Sequence, residues 1–157
     1  MGQLKDQDWE DLRTMYGALS DAQIAWLRTA EFATPWLDRN ARCALEIAPL
    51  VAVVRDRPFP AELRLAVGDL SNALTTFAAY YAQSTFPDPR LVTDEWRFFN
   101  WDDGETIPRT DAPFAERSPP EAADMQELSL RVCDAYEGVV EIIRRDRKMH
   151  KRVQAHS

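Results

Sequence analysis

This sequence predicts an all-α protein, an antiparallel four-helix bundle with one long insertion before the last helix. Three observations lead there. Apolar residues recur at alternating three- and four-residue steps through most of the chain, as one face of a helix requires. Capping motifs stand where those stripes begin. The first two joints between helical units are short, which makes neighbours antiparallel, whereas the last spans about 35 residues, well above the usual length. The units are 6–33, 35–55, 60–84 and 119–150, in a single domain of 1–157.

In the first unit Trp9, Leu12, Tyr16, Leu19, Gln23, Trp26, Ala30 and Ala33 keep the helical step. Gly17 is a weak helix former, and Ser20 with Gln23 makes a capping box. The unit therefore reads as two helices, or as one with a defect near 17–20. Thr34 then caps and Pro35 leads the second unit, whose inner face is Leu37, Ala41, Ala44, Leu45 and Ala48. Pro49 is expected to kink it, because proline removes a hydrogen bond and clashes with the preceding turn. Beyond it, Leu-Val-Ala-Val-Val at 50–54 is apolar on every side, which predicts deep burial.

The third unit has the plainest stripe: Leu63, Val67, Leu70, Leu74, Phe77 and Tyr81, with Pro60 in its first turn. In the fourth, Ser118, Pro119 and Glu121 form a start signal. Met125, Leu128, Val132, Ala135, Val139 and Ile142 follow as its stripe, widened by Tyr136 and Ile143. Glu127–Arg131 and Glu141–Arg145 are predicted ion pairs one turn apart, each contributing a few tenths of a kcal/mol. Residues 151–157 read as a disordered tail.

The insertion, 84–118, holds six aromatics and four prolines ahead of the start signal. A disordered linker is poor in aromatics, so order is expected. Asp103-Gly104 suits a two-residue type I′ turn, since both positions need positive φ. Pairing about it sets Trp101 against Thr106, Asn100 against Ile107 and Phe99 against Pro108. Aromatics then fall on both faces, and a lone hairpin needs cover. One face is expected on the bundle. The other is expected to meet a protein partner, because large aromatics anchor interfaces, and Trp96, Phe98, Phe99, Trp101 and Ile107 are the candidate contact residues.

The formal charge is −7, which argues against a DNA-binding role for the molecule as a whole. It is unevenly spread. Residues 144–152 hold six Lys/Arg and one Asp, a local +5, leaving −12 elsewhere. That basic end reads as a solvated helix terminus complementing the dipole, or as an anion or RNA contact. Cys43 and Cys133 stand far apart in no metal-type spacing and read as reduced thiols. The opening residues lack an apolar core, and no apolar run reaches membrane-spanning length, so cytoplasmic residence and no membrane contact are expected.

Catalytic signals are sparse. Only His150 and His156 supply imidazoles, and the chain has no Glu-x-x-His, HExxH, CxxC, phosphate-loop or dinucleotide motif. No cofactor and no metal site is predicted. One local pattern remains: Arg145-Asp146-Arg147-Lys148-Met149-His150. It resembles the signature of HEPN domains, an arginine and a histidine separated by four to six residues in an all-α bundle. Many HEPN domains are metal-independent ribonucleases, usually dimeric. The resemblance implies His150 as acid–base group, Arg145 as phosphate contact and Asp146 as polar neighbour.

The leading expectation is a non-enzymatic protein acting by protein–protein contact through the aromatic insertion, with homo-oligomerisation through a bundle face alongside. The alternatives are a HEPN-like ribonuclease or toxin-system component using Arg145, Asp146 and His150, for which RNA is the partner, and a small-molecule-binding bundle with an apolar pocket near Pro49.

Overall fold

The computed structural model describes residues 3–29, 36–37, 44–87, 96–98 and 120–154, and these are mainly helical. Helix α1 covers Asp6–Tyr16. The Lys5 backbone N–H donates to Asp8 Oδ2 at 2.8 Å, satisfying one orphan donor of the first turn. The helix stops at Gly17, and α2 covers Asp21–Thr29. The Ser20 capping box is complete: Ser20 N–H donates to Gln23 Oε1 at 2.8 Å and Gln23 N–H to Ser20 Oγ at 3.1 Å. The break predicted near 17–20 therefore exists. Ala30 and Ala33 lie outside the described residues.

The second unit differs from expectation. Trp36–Leu37 forms a short strand, β1, where a helix starting at Pro35 was predicted. A helical turn at 44–46 leads into α3, Ala48–Arg55. Pro49 sits in the first turn of α3 instead of kinking a longer helix, because a missing N–H costs little there. Nor is α3 buried all round: Val51 and Val54 face the core while Val53 is 43% exposed.

Helix α4 covers Ala61–Ser84 and realises the predicted stripe. Leu63, Val67, Leu70, Leu74, Phe77 and Tyr81 are all buried. Each large apolar side chain removed from water contributes about 1.5–3 kcal/mol relative to exposure, so this face anchors the helix. Helix α5, Pro120–Arg145, shares its most extensive contact with α4. Its buried face runs Met125, Ser129, Val132, Tyr136, Val139 and Ile143. Leu128, Ala135 and Ile142 only flank that face, so Tyr136 and Ile143 are its centre and not its margin. Ser129 Oγ–H donates to the Leu27 carbonyl at 2.8 Å, which fastens α2 to α5 without an unsatisfied buried hydroxyl.

The chain does not stop being helical after 145. Asp146 interrupts α5, and α6 covers Arg147–Gln154. Asp146 Oδ1 accepts from Met149 N–H at 3.1 Å, an N-cap that explains both the break and the restart. Met149 and Val153 are buried against the common core, so residues 151–154 are not the disordered tail expected. One continuous cluster joins side chains from all six helices among the described residues.

Three short strands complete the description. β2 is Thr85–Pro87, continuing directly from α4, and β3 is Trp96–Phe98. β3 is central and pairs antiparallel with both others, Arg97 facing Phe86 on one side and Trp36 on the other. The partners of β3 thus come from segments that the sequence pattern did not connect with it. The turn predicted at Asp103-Gly104, together with Phe99, Trp101 and Ile107, lies outside the described residues.

Candidate functional site

A concavity of about 620 Å³ lies where α6 crosses α1, lined by Asp6, Trp9, Glu10 and Arg13 from α1 and by Lys148, Lys151 and Arg152 from α6. Helical spacing builds both walls. Positions 6, 9, 10 and 13 share one face of α1, and 148, 151 and 152 share one face of α6. The alternate faces of the same helices carry Leu12 and Met15, and Met149 and Val153, into the core.

Arg13 locks the two helices together. Its Nε donates to the Val153 carbonyl at 3.2 Å and its Nη2 to the Arg152 carbonyl at 3.1 Å. These are among the last carbonyls of α6, which have no partner within the helix. Its Nη1 pairs with Glu10. The Arg152 guanidinium lies over the Trp9 ring, 4.8 Å from the centroid, and reaches Asp6 at 3.3 Å. Trp9 in turn meets buried Phe59 edge-on, with centroids 5.5 Å apart. The indole is thereby fixed by the core on one side and a cation on the other.

A second polar cluster holds α1 to the turn after α3. Arg57 donates to Asp8 Oδ1 at 2.6 Å and to Asp11 Oδ2 at 3.4 Å. The Lys5 backbone N–H and then Arg57 hold the Asp8 carboxyl below the usual range, against the opposing effect of burial. This arrangement consumes both carboxylates in fastening the fold.

The residues singled out by sequence fall in three places. Arg145 Nη2 donates to Glu62 of α4 at 2.9 Å, and this cross-helix pair takes the place of the predicted contact with Glu141. Asp146 serves as the N-cap of α6. His150 faces Tyr16 of α1, ring centroids 6.3 Å apart. Each of the three thus engages a different neighbour. Trp96 and Phe98 stand in the central strand of the small sheet, while the rest of the aromatic segment lies outside the described residues. The predicted pair Glu127–Arg131 is present at 2.6 Å.

Sequence reasoning marked the basic end at 144–152 but not its counterpart on α1. Asp6, Trp9, Glu10 and Arg13 form a second, non-core stripe in the pattern of α1, and that was the available signal. Which distant segment would cover it was not encoded in the spacing. Smaller grooves lie between α4 and α5, about 500 Å³ with Asp69, Asn72 and Arg131, and between α2 and α5, about 380 Å³ with Asp21, Tyr136 and Arg144. Among the described residues no helix is long and apolar enough to cross a membrane. The chain matches no protein-family model, no curated protein and no solved structure.

Proposed function

We propose that the protein is a non-catalytic helical interaction module that meets a protein partner through the aromatic segment beginning at Trp96. Trp96, Phe98, Phe99, Trp101 and Ile107 are the contact residues in this reading. One observation carries it. β3 is paired along both edges, and one of its neighbours, β2, extends straight from the end of α4. The segment therefore starts from a fixed place on the helical body. An anchored start limits the ordering entropy that a free linker would lose on binding. Large aromatics presented from such a base are the side chains that most often dominate binding energy.

The test compares wild type with a Trp96/Phe98/Trp101 triple alanine variant, and with Trp101→Ala alone, by quantitative affinity capture from the native host and by thermal melting. A partner retained by wild type and lost from both variants is expected, with the Trp101→Ala midpoint within about 2 °C of wild type. A fall in that midpoint of about 6 °C or more would place Trp101 in the core and end this reading.

A further inference from the structure

We propose that the cleft between α1 and α6 binds a small organic phosphate, its phosphate group on Lys148, Lys151 and Arg152 and its apolar body against Trp9. The proposal uses no residue of the aromatic segment and does not depend on the reading above. Its volume of about 620 Å³ falls within the range of small-molecule sites, about 300–1,000 Å³.

The cations of the cleft are not equivalent. Arg13 spends its donors on the ends of α6 and on Glu10, so it is a structural clasp. Lys148 and Lys151 are exposed, one helical turn apart, on the wall facing α1. Arg152 is oriented by the Trp9 ring beneath it, and its carboxylate contact among the described residues is long, to an Asp6 side chain that is fully exposed. Such a surface pair contributes little and is readily exchanged for a better anion. Two ammonium groups and an oriented guanidinium line one space, where the two carboxylates, Glu10 and Asp6, are paired with Arg13 and Arg152; a phosphate dianion offers three acceptor oxygens to these cations, where a carboxylate offers one charge and two. The indole and the aliphatic stems of the lysines give the same cleft an apolar side, which favours an organic ester over a bare ion.

Isothermal titration at constant ionic strength with phenyl phosphate, inorganic phosphate and benzoate tests this. Phenyl phosphate is expected to bind saturably, with a dissociation constant of about 1 mM or tighter, and at least about fivefold more tightly than either fragment probe. The double variant Lys148→Ala/Lys151→Ala is expected to weaken it about tenfold or more while melting as wild type does, both side chains being exposed. Arg131→Ala, on the exposed face of α5, is expected to change nothing. Absence of saturable binding, equal affinity for benzoate or inorganic phosphate, or binding undiminished in the double lysine variant would overturn the proposal.

Discussion

The Tyr136 hydroxyl donates to the Tyr16 carbonyl at 2.6 Å and accepts from the Leu19 N–H at 3.4 Å. One side chain of α5 thus satisfies both banks of the gap between α1 and α2. Tyr136→Phe keeps the ring and strands those backbone groups, so it should cost about 1–3 kcal/mol. The thermal midpoint should fall by about 2–4 °C for each kcal/mol. The pH dependence has a sign as well. Burial, the largest influence, pushes the phenol above its ordinary value of about 10. Its contribution is therefore complete below about pH 10 and is lost as pH rises through the folded value. Denaturant unfolding of wild type and Tyr136→Phe from neutral to strongly alkaline pH should show the gap between them closing.

Asp8 gives the opposite dependence. Its carboxyl is held low first by the Lys5 N–H and then by Arg57. The stability it lends is present above the unfolded value of about 3.9 and disappears as pH falls through the folded one. Asp8→Asn should be less stable than wild type at neutral pH, and the difference should shrink in acid. A difference that stays constant from neutral pH to about pH 2.5 would mean the carboxylate charge is not what matters.

Asp146 should behave as a cap and not as a chemical group. Asp146→Ala is expected to cost about 1 kcal/mol in denaturant unfolding, whereas Asp146→Asn, which caps equally well, should cost almost nothing. A large loss in the asparagine variant would require a role for the charge itself.

Met149 tests whether α6 belongs to the body of the protein. It is 5% exposed in the common core. Met149→Ala should lower stability by about 2–3 kcal/mol, the usual penalty for a cavity of that size. An unchanged midpoint would mean that α6 does not dock.

How legible this was from sequence depends on the distance over which a residue is judged. α4 could be read almost exactly as it stands, because six apolar residues at helical steps have no competing arrangement. The cap at Ser20 was legible because its partner is three residues away. Pro49 was misread because a proline ends one helix and begins the next with equal ease, and only the turn before it decides between them. The centre of the α5 face was displaced because Ser129 looks polar, yet its hydroxyl finds the Leu27 carbonyl and is buried at no loss. The pairing of β3 with residues 36–37 and 85–87 was invisible, since strands of two or three residues carry no period. The cleft was half legible: its basic wall is a local charge run, but the indole wall lies about 140 residues earlier in the chain.

That separation governs the order in which the molecule is made. A growing chain emerges from the ribosome with residue 13 long before residue 153, and domains settle as their parts appear. Until α6 has been synthesised, Trp9 lacks the Arg152 cation above it and Arg13 lacks the α6 carbonyls it clasps. Helix α1 must wait for α6 before this contact can form. Ribosome-bound intermediates stalled before residue 147 should bind a hydrophobic dye or a chaperone there, and lose that binding once residue 154 is free of the exit tunnel.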